Sequence, residues 1–309
     1  MVERDPVPAA HTSSHWQHYG GETIVERSGD ELVLRGSGFG TMYAPRPLGQ
    51  AAHLLQRITY SRVTSRLHSY KSVWRTAIRL ARDLQFDLTF DVWKQSVALA
   101  VLADHWAAHN LSPRTFAMIG DGYGFLGALV RRRLPESRIY CIDLPKTLVF
   151  QAHTHEQADR TAKMSIVSKD GGVADVNFVL PQHIELISDD IDCAVNIASM
   201  MEMKDSSIAS YFTFLRQRST PQSRFYCVNR LLKELPGGEV TRFQDYPWQE
   251  GDDLFIDGPC PYHTRFFARH TLPRGPKLLG MRVPFVNYFD GIIMHRLVHL
   301  APITKTTGL

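Results

Sequence analysis

The sequence predicts an α/β protein built around a mostly parallel sheet and preceded by a mainly helical region. From Ser112 onward, short apolar runs of strand type alternate with longer helical runs, which is typical of parallel strands joined by crossover helices. Between Gln50 and Asn110, apolar residues instead recur at helical spacing. We therefore expect three segments: a hairpin and connector at 1–46, a helical region at 47–111 and an α/β domain at 112–309.

The bulk composition limits the classes of protein to which the chain can belong. Its 309 residues are 44% hydrophobic and 21% charged, as in an ordinary globular protein, with a formal net charge of +4. This small excess, with its one run of three basic residues at Arg131–Arg133, argues against a nucleic-acid partner. No stretch reaches the roughly 20 apolar residues of a membrane span, and the first residues lack the apolar core of a signal peptide. We expect a cytoplasmic protein, whose four cysteines match no zinc or redox spacing.

The region before Ser112 contains two kinds of pattern. The run "ETIVERSGDELVLRG", residues 22–36, consists of two strand-like halves around a Ser-Gly-Asp turn and predicts a hairpin. In the later run "DVWKQSVALAVLADHWAAHN", six apolar side chains lie near one stripe of a helix: Val92, Trp93, Val97, Val101, Leu102 and Trp106. This helical region carries no obvious chemistry, so we expect it to serve as a lid over a site or as a homodimer interface.

Five parallel strands and one terminal hairpin are expected in the α/β domain. The strands are predicted at "TFAMIG", "RIYCID", "VNFVL", "DCAVNI" and "RFYCVN", and the helices at "FLGALVRRRL", "TLVFQAHTHEQADR" and "SSIASYFTFLRQR". In the tail, "VPFVNYFDGIIMHRLVHL" reads as two strands joined by Asp290-Gly291, a strong signal for an antiparallel hairpin. A parallel sheet that ends in such a hairpin is unlike half of a dehydrogenase.

The stretch "MIGDGYGFLG" carries four glycines directly after the first predicted strand. Glycine lets the backbone turn sharply or approach a ligand, and the helix that follows offers unpaired N–H groups. Gly122-Tyr-Gly124-Phe-Leu-Gly127 matches the dinucleotide pattern G-x-G-x-x-G, while Gly120-Asp-Gly122-Tyr-Gly124 matches the G-x-G-x-G loop of S-adenosylmethionine enzymes. Asp143 ends the second strand and could accept bonds from both hydroxyls of a ribose. The terminal hairpin favours the second of these two cofactors.

Several short motifs follow one another through the α/β domain: "IGDGYG", "IDLPKTL", "VNIASMMEM", "FYCVNR" and "FQDYPW". In this order and spacing they resemble the family of sugar O-methyltransferases, over about residues 113–265. The resemblance implies a Rossmann-like class I methyltransferase sheet and S-adenosyl-L-methionine as cofactor. It also implies O-methylation of a sugar or of another small, natural-product-like molecule. The N-terminal third of the chain carries no such resemblance.

The resemblance further implies which residues hold the cofactor. The glycine loop would hold its methionine part, Asp143 its ribose hydroxyls and Leu144 its adenine, while the Gln182 amide could read the adenine amino group. In one departure, the family's acid two residues before the first glycine is replaced by Met118, and Asp121 could supply the missing carboxylate. The expected cofactor-binding residues are Gly120, Asp121, Gly122, Tyr123, Gly124, Asp143, Leu144, Gln182 and Asn196.

Four residues are expected to bind the acceptor. Ser199 ends the fourth strand beside Asn196, on the edge that faces the transferring methyl group. Arg230 ends the fifth strand on the same edge and could bind an anionic group. Tyr246 and Trp248 offer flat apolar faces that suit a sugar ring or an aromatic acceptor.

An alcohol acceptor must also lose a proton, typically to a histidine or a carboxylate. His263, in a loop rich in glycine and proline, is the first candidate for the base, with Glu202 and His183 as alternatives. We predict no metal site, because the acids in "DYPWQEGDD" are explained more simply as a surface cluster.

Three other functions stay open at the level of sequence. A methyltransferase that acts on an amine or a phenol needs less help from a base. The embedded G-x-G-x-x-G is compatible with an NAD(P)-dependent oxidoreductase. The methionine at position 118 and the absence of an unambiguous base are compatible with a non-catalytic protein that binds the cofactor or a partner.

Overall fold

A computed structural model confirms the predicted α/β fold, with a mostly parallel central sheet and flanking helices. The residues that the structure describes are 13–19, 24–29, 31–35, 42, 63–169, 172–263, 265–267, 277–283, 286–288 and 291–303.

The described residues of the N-terminal part form a short helix, the predicted hairpin and two longer helices. These elements are α1 (Ser14–Tyr19), β1 (Ile24–Ser28), β2 (Glu31–Arg35), α2 (Tyr70–Asp83) and α3 (Phe90–Ala108). β1 and β2 pair antiparallel around Gly29, whose φ of +65° suits a tight turn. Thr89 caps α3, because its side chain accepts a hydrogen bond from the Val92 N–H at 3.3 Å.

The α/β part begins with β3 (Thr115–Ile119), α4 (Phe125–Arg133), β4 (Arg138–Ile142), α5 (Pro145–Ala158), β5 (Met164–Ile166), β6 (Val176–Val179) and β7 (Cys193–Ile197). It continues with α6 (Asp205–Gln217), β8 (Arg224–Arg230), β9 (Leu232–Glu234), β10 (Val240–Arg242), β11 (Asp253–Pro259) and β12 (Arg265–Phe267). The last strands are β13 (Lys277–Leu278), β14 (Met281–Arg282), β15 (Val286–Tyr288) and β16 (Ile293–His299). Three short 3₁₀ helices lie at Pro181–Leu186, Met200–Glu202 and Phe243–Asp245.

The largest sheet has eight strands in the order β11-β16-β8-β7-β3-β4-β6-β5. The six strands from β8 to β5 pair in parallel, whereas β16 runs antiparallel to β8 and to β11. β3 has β4 on one side and β7 on the other, so the order of the strands reverses beside it. Ligands of open α/β sheets bind outside the carboxyl ends of the strands at such a point.

An antiparallel pair of strands does end the sheet, as predicted. The two strands predicted to form this hairpin, however, each pair with other strands. β15 pairs with β12, and β16 pairs instead with β8 and β11. β16 is buried from Ile293 to Val298, and its place between β8 and β11 pairs the backbone of both of its edges, which an isolated hairpin would not do. Of the two turn residues, Asp290 lies outside the described residues, and Gly291 has a φ of +89°. Two strands of this sheet, β5 and β11, were not anticipated from the sequence.

Two hydrophobic clusters cover the two faces of the sheet. Successive residues of β3 point to opposite faces, so Phe116 belongs to one cluster and Ala117 to the other. The first cluster also contains the inner residues of α2, α3 and α4, and the rings of Trp106 and Phe116 meet edge to face at 5.8 Å. All six residues of the predicted α3 stripe are buried. The described helices α2 and α3 are therefore packed into the main core, while the role of this region as a lid or a homodimer interface stays a prediction.

Two properties of the described part of the chain concern membranes and metals. None of its helices is long and apolar enough to cross a membrane. No group of three or more histidine, cysteine or acidic side chains within it could hold a metal ion.

Candidate functional site

A cavity of about 260 Å³ opens at the carboxyl ends of β3, β4 and β7. Its floor is the glycine loop after β3, with Asp143 and Leu144 beside it after β4. One wall comes from α3 and α1, and the other comes from the segment that follows β7. The cavity therefore lies where the reversal of strand order predicts a ligand site.

The first half of the glycine loop faces this cavity. Gly120 and Gly122 have φ values of +70° and +58°, and both residues line the cavity together with Asp121. A Cβ atom on Gly120 would lie 2.1 Å from the Ser199 Oγ, so this position has no room for any other residue. The missing side chain of Gly120 therefore leaves space for Ser199, and the backbone of Gly120 lines the cavity beside it.

The second half of the loop does not reach the cavity. Tyr123 is buried and packs edge to face against Phe86 and Phe150. Gly124 precedes α4 with a φ of +80°, and a Cβ there would lie 3.0 Å from the Cα of Gln151. We correct the expectation for these two residues, because their positions support the start of α4 and contact no cavity space.

Asp121 lines the cavity, and its carboxylate caps the N-terminus of the helix that follows, α4. It accepts hydrogen bonds from the Gly127 N–H at 2.8 Å and from the Leu126 N–H at 3.3 Å, in the first turn of α4. Burial raises the pKa of Asp121 to about 7, while these two bonds and the charge of Lys94 act in the opposite direction. Asp121 is therefore a buried capping acid at the cavity wall.

Asp143 is the second buried carboxylate of the cavity, directly after β4. Its oxygens accept bonds from the Leu144 N–H at 2.8 Å and the Gln151 Nε2 at 2.7 Å. Burial raises the pKa of Asp143 to about 7, and the charge of Asp121 contributes to the increase. A carboxylate has about four acceptor positions, so Asp143 can still accept bonds from a ligand. Leu144 lines the cavity next to it.

We correct the role expected for Asn196, because it connects strands and does not face the cavity. Its side chain is fully buried and does not line the cavity. It donates to the Ile119 carbonyl at 2.9 Å and accepts from the Asn229 Nδ2 at 2.8 Å, so one amide joins the ends of β3, β7 and β8. Ser199, three residues later, does line the cavity, and its Oγ donates to the same Ile119 carbonyl at 3.2 Å.

Gln182 lies in the 3₁₀ helix Pro181–Leu186 and is half-buried. Pro181 lines the cavity, whereas Gln182 is not among the described residues that do. His183 and Gln182 both follow β6, and neither lines the cavity. The adenine-reading role expected for Gln182 therefore stays a prediction.

Glu202 lines the cavity from the 3₁₀ helix that follows β7. Its carboxylate pairs with Lys233 Nζ at 2.9 Å and with His15 Nε2 at 3.3 Å. The Ser13 hydroxyl donates to the Glu202 carbonyl, and Trp16 adds an aromatic ring to the cavity wall. α1 therefore covers the part of the cavity that Glu202 lines. Sequence reasoning missed these contacts, since a six-residue helix so far from position 202 leaves no local signal.

His263, the first candidate for the base, does not line the cavity. It is buried, its Nδ1 lies 3.1 Å from the Cys260 Sγ, and its ring meets Phe90 edge to face. Burial lowers the pKa of His263 to about 3. We correct its expected role, because a proton acceptor must reach the proton that it removes.

None of the three other expected acceptor contacts, Arg230, Tyr246 and Trp248, lines the cavity. Arg230 is half-buried, and its backbone N–H donates to the Met201 Sδ at 3.4 Å. Tyr246 and Trp248 pack around Phe212 in the second hydrophobic cluster, with the Trp248 Nε1 donating to a carbonyl at 2.8 Å. We correct the roles of Tyr246 and Trp248, because their rings are occupied by core neighbours.

The wall formed by α3 contributes three polar side chains that the sequence analysis did not single out. Asp91, Lys94 and Gln95 line the cavity in the first two turns of this helix. Lys94 and Gln95 interrupt an otherwise apolar run, and that interruption was the available signal.

The chain is similar in fold to several solved structures at low sequence identity. One is TehB from Haemophilus influenzae, with 13% identity, a TM-score of 0.40 and a match covering 63% of this chain and 60% of that chain. Another is the pyocyanin biosynthetic protein PhzM, with 11% identity, a TM-score of 0.39 and coverage of 67% and 58%. A third is the mitomycin 7-O-methyltransferase MmcR, with 14% identity, a TM-score of 0.37 and coverage of 90% and 80%. The matches span about three fifths of TehB and of PhzM.

No family model and no curated protein sequence matches the chain. The fold assignment rests on the strand order itself, a parallel sheet closed at one edge by an antiparallel pair. The chain therefore has a Rossmann-like α/β fold, with a cavity at the switch point of its sheet.

Proposed function

We propose that this protein is an S-adenosylmethionine-dependent methyltransferase that transfers a methyl group to a hydroxyl of a sugar or of a similar small molecule. One observation carries the proposal. The backbone at Gly120 and Gly122 and the carboxylate of Asp143 line one cavity at the carboxyl ends of the strands. This combination suits a nucleoside whose ribose is held by an acid and whose tail lies against the loop.

The residues of the cavity fit this cofactor in two respects. The close contact between Gly120 and Ser199 leaves bare backbone on the floor, so a ligand tail can approach it. Two buried carboxylates, Asp121 and Asp143, have their pKa values raised to about 7, and such sites favour a positively charged ligand. When bound, the cofactor supplies a methyl group on a cationic sulfur.

Glu202 is the proposed base or hydrogen-bonding group for the acceptor hydroxyl. Of the residues suggested for this role, it lines the cavity, while His263 does not. Lys233 and His15 hold its carboxylate in place, which restricts its orientation toward an acceptor. Trp16, on the same side, offers a flat face of the kind that packs against a sugar ring.

A methyltransferase acting on an amine or a phenol is the second candidate. Both oxygens of Glu202 already have a cationic or histidine partner, which reduces its strength as a base. An amine that arrives neutral needs little help from a base. Acceptor panels containing sugars, phenols and amines would separate the two candidates by the product formed.

Calorimetric titration with S-adenosylmethionine, S-adenosylhomocysteine and NADH tests the cofactor. We expect micromolar binding of the first two ligands, lost in Asp143→Ala and kept in the control Asp190→Ala, which removes an exposed carboxylate. Binding of NADH alone would overturn the proposal and support an oxidoreductase. Binding of none of the three would also contradict it.

A further inference from the structure

The side-chain carbonyl of Gln95 accepts no hydrogen bond from any part of the chain that the structure describes. The residue is 7% exposed and lines the cavity from the first part of α3. Its Oε1 is buried without a hydrogen-bond partner among the described residues. A buried acceptor without a partner is costly, so its presence in a cavity wall points to a ligand that donates a hydrogen bond there.

Lys94 stands beside Gln95 and brings a positive charge to the same wall. Its Nζ lies 2.5 Å from the Asp91 Oδ1, and all three residues line the cavity. An ammonium group has three donors, so Lys94 can keep its bond to Asp91 and still donate to an anionic ligand group. The side chain of Lys94 is 17% exposed, so its charge acts in a partly desolvated place.

The end of β3 lacks the acid that the methyltransferase resemblance implies. Met118 occupies that position and lines the cavity with an apolar side chain. Asp121, which could replace the acid, already accepts hydrogen bonds from the N–H groups of Leu126 and Gly127 in α4, so it has fewer acceptor positions left for a ligand. An ammonium group has three donors and needs acceptors beyond those that Asp121 retains, and Gln95 offers one.

We propose that α3 binds the amino-acid end of the cofactor, with the Gln95 Oε1 accepting from the α-ammonium group and Lys94 donating to the carboxylate. Asp91 positions Lys94. This inference rests on the proposed function, and it assigns a binding role to a helix outside the segment that resembles the methyltransferase family. The zwitterionic amino-acid group of the cofactor is then bound by a neutral carbonyl and a cation on adjacent residues. The family resemblance implies that an acid near the end of β3 would bind it instead.

The test compares two ligands that differ only in this end. S-adenosylhomocysteine carries the amino-acid group, whereas 5′-methylthioadenosine keeps the adenine, the ribose and the sulfur but lacks it. We expect Gln95→Leu and Lys94→Met each to weaken binding of S-adenosylhomocysteine by about ten- to a hundredfold in calorimetry. Binding of 5′-methylthioadenosine should change by less than about threefold, because the lost contacts do not reach it.

Matched controls are available on exposed parts of helices. Gln217→Leu on α6 and Lys71→Met on α2 make the same chemical changes away from the cavity and should leave both affinities unchanged. Retained binding of 5′-methylthioadenosine also shows that each variant is folded. If Gln95→Leu and Lys94→Met leave S-adenosylhomocysteine binding intact, or weaken both ligands equally, the inference is wrong. If the unaltered protein binds neither ligand, the proposed function itself is wrong.

Discussion

Gly120 and Ser199 lie so close together that the glycine has no space for a side chain. A Cβ atom on Gly120 would lie 2.1 Å from the Ser199 Oγ, and the φ of Gly120 is +70°. Gly120 follows β3 and Ser199 follows β7, its direct neighbour in the sheet. The contact therefore closes the floor of the cavity at the ends of two strands, and it ties the glycine loop to the acceptor side.

Gly120→Ala should lower the free energy of unfolding by about 2–5 kcal/mol, because it adds a clash to a left-handed backbone. It should also abolish binding of S-adenosylhomocysteine, since relief of the clash must displace the loop or Ser199. Urea denaturation and calorimetry measure the two effects.

Gly238→Ala is the matched control for this change. Gly238 has a φ of +87°, but nothing lies within 4 Å of a Cβ placed there. It should therefore show only the backbone cost, about 1–2 kcal/mol, with ligand binding intact. If both variants lose the same stability, the contact with Ser199 is not a constraint. Adding Ser199→Gly to Gly120→Ala should recover part of the loss.

Trp248→Ala should reduce stability by about 3 kcal/mol without changing the affinity for S-adenosylhomocysteine. The ring packs against Phe212 and Phe225, and the Arg296 guanidinium lies 4.4 Å from its centroid. Thermal unfolding and ligand titration at a temperature where the variant is folded separate the two quantities. A folded variant that turns over a sugar acceptor with a much higher KM would restore Trp248 to the substrate site.

The raised pKa of Asp143 predicts how stability depends on pH. Burial moves this pKa from an ordinary value near 3.8 to about 7, so between these values the folded chain binds a proton that the unfolded chain has released. The contribution of Asp143 to stability therefore falls as pH rises from about 4 to about 7, and is constant above that range.

The measurement compares the ligand-free protein with Asp143→Asn, which removes this titration. The difference in unfolding free energy between the original chain and Asp143→Asn should decrease by more than about 1 kcal/mol as pH rises from about 4 to about 7. A difference that is constant with pH would contradict the buried, protonated state of Asp143.

Glu202→Gln should reduce kcat for a hydroxyl acceptor by about 10²- to 10⁴-fold, because it removes the carboxylate at the acceptor side of the cavity. The affinity for S-adenosylhomocysteine should stay within about twofold. His263→Ala, although destabilising, should keep kcat, since His263 lies outside the cavity lining. The opposite result, full turnover in Glu202→Gln and loss in His263→Ala, would reverse the two assignments.

Most elements of the α/β part were predictable because their signals are local. Runs such as Phe116–Ile119 are apolar throughout, as expected for strands covered on both faces, and their buried pattern agrees. β11 was missed because its residues are largely exposed at the edge of the sheet, so it lacks such a run. The same reasoning predicted that Asp143 and the first glycines lie at the ends of β4 and β3, where they line the cavity, since the end of a parallel strand is a position that the sequence marks.

The sequence by itself determined the α/β class, the glycine loop and the acid at the end of β4, since these depend on apolar periodicity and on backbone freedom at single positions. Only the tertiary structure decided which side chains share the cavity. In the folded chain Trp16 and Gln95 line the cavity. His263 and Tyr246 are buried, and Trp248 packs against the second hydrophobic cluster. It also placed β16 between β8 and β11. These outcomes depend on burial summed over contacts distant in sequence, which a local pattern does not encode.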